Sequence, residues 1–168
     1  MNYQIPERVA PGGASVTITS GDGTTSFGIE QIRAVGPALF TKNANGRGVP
    51  AAQVVRVRGG TLNYLPVARF DNASNQFVPA EIDLGAEGDQ SVLVLYGSGV
   101  RRRTNLARVR VTIGGVDLSV DYAGSAPGFV GLDQINIPLP RSLAGRGEVD
   151  VVMTVDGVAA NTIRIRIK

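Results

Sequence analysis

The sequence predicts an all-β fold, an immunoglobulin-like antiparallel β-sandwich with an additional N-terminal β-hairpin half-module. Three observations predict it. Short runs rich in Val, Ile and Thr recur about every 8–12 residues, with Gly, Pro, Asp and Asn between them. No segment long enough for a helix carries the 3.6-residue apolar period. Residues 1–33 also read as a partial repeat of residues 135–168. Asn2-Tyr3-Gln4-Ile5-Pro6 opens the first copy and Asn136-Ile137-Pro138-Leu139-Pro140 the second; at that spacing Asp22-Gly23 falls on Asp156-Gly157 and Ile29 on Ile163. The expected organisation is therefore a half-module over 1–33 and a sandwich over 34–168.

Taken in order, Ala14 to Thr19 alternates small or polar residues with apolar ones, the period of a half-buried strand. Ser20-Gly21-Asp22-Gly23 supplies a turn, and Ser26 to Ile32 returns as the second strand of a hairpin. In the first copy Val16 and Ile18 carry the apolar face; in the second it is Val149, Val151 and Met153, one residue out of phase. Superposing the copies therefore needs a bulge or slip. The pattern breaks around Val35-Gly36-Pro37. Pro37 to Thr41 reads as a short strand, Lys42 to Gly48 as a polar loop, and Val54 to Arg58 as a strand. Leu62 to Phe70 and Gln76 to Ile82 read as a hairpin closed by Asp71 to Asn75.

Ser91 to Tyr96 is almost wholly apolar, as expected of a central strand. Arg101 to Leu106 is a basic loop or a single helical turn. Arg108 to Ile113 alternates, and Gly114-Gly115 turns it into Val116 to Ala123. Gly124 to Gly131 reads as a long loop, Asp133 to Ile137 as a strand, and Arg141 to Gly145 as one short turn. Val149 to Val155 and Val158 to Ile167 form a closing hairpin around Asp156-Gly157, with Ile163, Ile165 and Ile167 facing inward.

Composition removes several functional classes. The chain has no histidine, cysteine or tryptophan. Ser-His-Asp triads, imidazole zinc sites, thiol nucleophiles and disulfides are thereby excluded. An aromatic content of 5% weakens the case for a sugar-stacking platform. The net charge is +3, and of 17 Lys and Arg residues only Lys42 and Lys168 are lysine. A nucleic-acid-binding domain is expected to be more basic and richer in aromatics, so no nucleic-acid partner is expected. No apolar run approaches the roughly 20 residues that span a bilayer as a helix. Met1 leads straight into a strand-like segment, so no signal peptide is expected; since apolar residues precede Asn136 in the second copy, Met1 is expected to mark a processed or artificial start.

Several segments resemble the uncharacterised C-terminal domain of large secreted proteins of Solibacter-type acidobacteria. They are Asn2 to Pro6, Pro37 to Thr41, Asn45 to Gly48, Leu95 to Gly99, Thr112 to Gly115, Tyr122 to Asn136 and Gly147 to Asn161. Gln53 to Gly88 is the least matched part. The resemblance implies a module of exported, often repeat-rich proteins, and no activity. The Gly-Gly hairpin and the loop after it are also similar, more weakly, to immunoglobulin-like IPT/TIG modules.

Arg101, Arg102 and Arg103, with Arg108 and Arg110, are the candidate interaction patch, for a polyanionic partner. The competing reading is a solvated loop and the outer face of an edge strand, where charge blocks unwanted pairing. Tyr122 and Phe129 flank the Gly124–Gly131 loop as candidate ligand contacts; the competing reading makes that loop a crossover between sheets with Phe129 capping the core. Glu81, Asp83, Glu87 and Asp89 are weighed as calcium ligands or as a glycosidase pair, without the spacing either needs. Lys42, in a polar loop, is weighed as an isopeptide donor, and Asn72-Ala73-Ser74 as a glycosylation acceptor.

These readings converge on a non-catalytic structural or interaction module, extracellular or on the cell surface, with no catalytic residue, cofactor or metal. Protein partners are expected first, either a second copy or other domains of a parent protein. Self-assembly into a filament by strand addition is a further expectation. The alternative is a carbohydrate-binding accessory module of a secreted protein.

Overall fold

The structure is a computed structural model that describes residues 4–6 and 8–168. The chain divides into two compact units, residues 1–34 and Val35–Lys168. Asn2 and Tyr3 of the repeat lie outside the described residues.

In the first unit, β1 (Gly12–Thr19) and β2 (Thr25–Ile32) pair antiparallel as a two-stranded ribbon. The five-residue turn between them is held by Asp22, whose carboxylate accepts from the Thr24 amide at 2.9 Å, and by Gly23 at φ +84°. Cross-strand register puts Ala14, Val16, Ile18 and Ile32 on one face of the ribbon. Ser15, Thr17, Phe27 and Ile29 share the other. Phe27 is 67% exposed and Ile29 75%.

The second unit holds β3 (Ala38–Leu39), β4 (Ala52–Arg58), β5 (Thr61–Pro66), β6 (Ala68–Asp71), β7 (Gln76–Pro79), β8 (Glu81–Ile82) and β9 (Gln90–Ser98). It continues with β10 (Val109–Ile113), β11 (Val116–Leu118), β12 (Tyr122–Ser125), β13 (Asp133–Pro138), β14 (Gly147–Val155), β15 (Val158–Ala159) and β16 (Ile163–Ile167). One sheet runs β11-β10-β14-β16-β8, with β15 beside β14. The other runs β12-β13-β9-β4-β5, with β3 beside β9. All pairings are antiparallel except β16 with β8. Strand alternation sends Val54, Leu93, Leu95, Ile135 and Ile137 of one sheet inward. They meet Val111, Ile113, Val151, Met153, Ile163 and Ile165 of the other in a single core. Burial of side chains of this size, each worth about 1.5–3 kcal/mol, makes the sandwich.

The all-β sandwich class expected from the sequence is the observed one, and the local differences have physical reasons. Leu62–Ile82 is not one hairpin. β5 pairs back onto β4 through Gly59-Gly60, both at positive φ, and only β6 and β7 pair around Asp71–Gln76. Val116–Ala123 is not one strand either. β11 stays with β10, the chain then leaves that sheet, and β12 joins β13 in the other. The closing hairpin turns on Asp156-Gly157, both at positive φ, and is interrupted after β15. Asn161 lies in that interruption and binds the Leu39 backbone. The two copies of the repeat also differ in packing. Residues 14, 16 and 18 face one way in β1, whereas β14 faces inward through residues 149, 151, 153 and 155. Ile29 is exposed where Ile163 is fully buried.

Candidate interaction surfaces

The arginine cluster does not form one patch. Arg101 pairs through Nε with the Asp133 carboxylate, which is 2% exposed, and donates from its other end to the Leu132 carbonyl at 2.7 Å. Arg103 donates to the Val100 carbonyl at 3.2 Å. Arg108 lies 3.6 Å from Asp156. Two of these guanidiniums therefore hold the 98–103 loop, and a third sits beside the closing turn. Arg102 is exposed in the loop, while Arg110 projects from the outer face of β10 opposite Thr154. The edge strand is β11, not β10. Arg110, Leu106, Asp117, Leu118 and Val120 line an open groove of about 590 Å³ beside that edge.

Tyr122 lies on the outer face of β12, where its hydroxyl donates to the Ser125 carbonyl at 2.7 Å. Phe129 does not cap the core. It is 66% exposed at the tip of its loop, beside Val130 at 91%, and the buried residue of that loop is Ala126. Gly128 and Gly131, both near φ +79°, carry the loop outward, so the aromatic side chain is turned away from the sheets.

Glu81, Asp83 and Asp89 each face a nearby cation or amide. Glu81 lies 3.1 Å from Arg166, and Asp83 lies 3.6 Å from Lys168. The Gly85 amide, donating at 2.8 Å, holds the Asp83 carboxyl below its usual range. Asp89 accepts from the Ala86 amide at 3.1 Å. Among the described residues no three acidic side chains converge on a point that would hold a metal. Lys42 lies over the Phe77 ring, 5.8 Å from its centroid, and Phe77 meets Phe70 edge-on at 5.3 Å.

The two outer faces of the sandwich differ in kind. On the β14 sheet the outward side chains include charged, paired groups on β14, β16 and β8. Arg164 donates to Asp150 at 2.8 Å and to Glu148 at 3.3 Å, and the Asp150 bond raises its pKa. On the β9 sheet no outward side chain within the strands carries charge. Register places Tyr122, Asn136, Val94, Gln53 and Pro66 in one cross-strand row. Pro138, Val92, Val55 and Tyr64 form the next row. Beyond the first row, Gly124, Gln134 and Tyr96 stand opposite one another; beyond the second, Gln90, Val57 and Leu62 do. Every tyrosine among the described residues lies on this face. Sequence reasoning singled out Tyr122 but missed Tyr64 and Tyr96 on the same face. Alternation in each strand placed them on a face; the order of the strands, which makes it a common face, has no local signal.

Together these features define an antiparallel β-sandwich joined to a separate two-stranded ribbon. Comparison with family models, with curated proteins and with solved structures finds no match to this chain.

Proposed function

We propose that the protein is a non-catalytic structural or interaction module, and that the ribbon of β1 and β2 is its assembly element. The observation that carries this reading is the pair Phe27 and Ile29, 67% and 75% exposed on one face of a two-stranded sheet. An isolated two-stranded hairpin is marginal in water, and three or more strands are needed for independent stability. Among the described residues the ribbon's sheet holds β1 and β2 alone, so both of its edges present backbone groups without a strand partner there. A strand of a second copy added to one edge extends the sheet and covers apolar surface at the same time. Head-to-tail addition of this kind propagates a filament. The resemblance to domains of secreted proteins supports a location outside the cell or at its surface.

The test is the solution mass of the intact chain and of a Phe27→Ser, Ile29→Ser double variant across a concentration series. The proposal predicts concentration-dependent association of the intact chain that the double variant loses while keeping the thermal stability of its sandwich. A chain that remains monomeric at every concentration contradicts it.

A further inference from the structure

We propose that the uncharged outer face of the β9 sheet binds a neutral oligosaccharide chain. The face combines what such a ligand needs and lacks what an ionic ligand needs. Tyr64 is 63% exposed and Tyr122 39%. They stand on the two outermost strands of a five-strand path, so strand spacing sets them about 20 Å apart. That span suits an extended oligomer better than a single sugar. A tyrosine ring offers an apolar face for the C–H side of a pyranose and a hydroxyl at its rim.

The amides supply the polar half of the recognition. Gln53 donates to the Tyr96 hydroxyl at 3.2 Å, and Gln134 donates to the Asn136 side-chain carbonyl at 2.9 Å. These bonds fix the amides in place. They leave the Gln53 and Gln134 carbonyls and the Asn136 amino group without a hydrogen-bond partner among the described residues, open as acceptors and a donor. A donor and acceptors side by side match paired sugar hydroxyls, each of which both donates and accepts.

Charge selects among ligand classes. No cation stands in the rows of this face: Arg56 and Arg58 of β4 alternate to its other side, and Arg164 and Arg166 lie on the other sheet. A sulfated or uronic-acid glycan finds no counter-charge on the tyrosine face, whereas an uncharged glycan forfeits nothing there. A protein partner of ordinary composition brings charged side chains, which this face leaves desolvated and unpaired. This inference does not depend on assembly through the ribbon, which uses other residues.

The experiment titrates the intact chain separately with cellohexaose, xylohexaose, mannohexaose and maltohexaose, with a heparin hexasaccharide as the anionic comparison. Binding is read by calorimetry and by tyrosine fluorescence, which no tryptophan masks in this chain. The expected result is saturable binding of at least one neutral hexasaccharide and none of the heparin fragment. Tyr64→Ala with Tyr122→Ala weakens it at least tenfold, and Gln134→Ala weakens it several-fold. Arg110→Ala, on the opposite sheet, leaves it unchanged. Should the double variant fail to fold, Gln134→Ala against Arg110→Ala decides the matter alone. Binding of none of the four neutral probes, binding of heparin alone, or binding indifferent to these tyrosine and glutamine substitutions overturns the proposal.

Discussion

The side chain of Asn161 closes both backbone hydrogen bonds of Leu39. The Leu39 amide donates to Asn161 Oδ1 at 2.7 Å, and Asn161 Nδ2 donates to the Leu39 carbonyl at 2.9 Å. The same Nδ2 also donates to the Gly46 carbonyl at 2.9 Å. One amide thus replaces a neighbouring strand where β3 ends. It ties the start of the sandwich to the segment between β15 and β16, across 122 positions of sequence.

Asn161→Ala orphans backbone groups beside Leu39, which is 3% exposed. An unmade bond at a buried group costs about 1–3 kcal/mol. The expected result is a loss of about 2–3 kcal/mol, read as a lower urea midpoint with unchanged slope. Asn161→Asp replaces the donor with a carboxylate facing two carbonyl oxygens. That variant is expected to recover stability as pH falls and the carboxyl protonates, a dependence the alanine variant lacks.

Asp133 and Arg101 give a second test. Asp133 also accepts from the Val100 amide at 3.0 Å, so a single carboxylate anchors the loop after β9 to the start of β13. Asp133→Ala leaves the Arg101 guanidinium, with 24% side-chain exposure, without its carboxylate and the buried Val100 amide without its acceptor. Breaking one side of a buried pair costs about 3–5 kcal/mol. Chemical denaturation of the variant measures it, and a change below about 1 kcal/mol contradicts the anchoring role.

Gly97 and Gly99 set how closely the chain around β3 approaches β9. A Cβ on Gly97 would lie 2.2 Å from the Ala38 carbonyl oxygen, and one on Gly99 2.0 Å from that of Gly36. Gly99 also stands at φ +80°. Gly99→Ala is therefore expected to destabilise by more than about 1 kcal/mol. Gly115→Ala serves as the comparison. Gly115 has a similar φ of +79° but nothing within 4 Å of its Cβ position, so it carries the backbone strain without the clash. The melting-temperature difference between the two variants isolates the cost of the close approach.

Acid sensitivity follows from Asp22, Asp71 and Asp83. Hydrogen bonds from Thr24, Ser74 and the Gly85 amide, respectively, lower their folded pKa values below the usual 3.8. A lowered folded pKa gives stability that is complete above the unfolded value and is lost as pH falls through the folded one. The dependence therefore begins near 3.8 and extends below it. Asp71→Asn is expected to flatten part of that slope in acid denaturation. With no histidine, no side chain of ordinary pKa titrates between pH 5 and 8, so stability is expected to be flat there.

Much of the fold was legible in local pattern. Val109 to Ile113 and Ile163 to Ile167 alternate so regularly that strand and buried face were both readable. Gly59-Gly60 carries the same two-residue turn signal as Gly114-Gly115, and reading it would have paired β5 with β4. The crossing after β11 was not legible, because Val116 to Ala123 continues as a plausible strand while the partner changes sheet. The arginine run was misleading for the same non-local reason. Arg101 meets Asp133, 32 positions away, and no spacing near Arg101 announces that encounter. The reading that caps the core with Phe129 takes the loop glycines as a crossover between sheets, whereas Gly128 and Gly131 send the ring outward.

The claim that the β1–β2 ribbon is completed by another chain is tested most directly by amide hydrogen exchange at a series of protein concentrations. Strand addition predicts that outward-pointing amides within Gly12–Thr19 or Thr25–Ile32 become more protected as concentration rises, while the sandwich core stays constant. Exchange in the ribbon that is independent of concentration, up to the highest concentration at which the chain stays in solution, contradicts the claim.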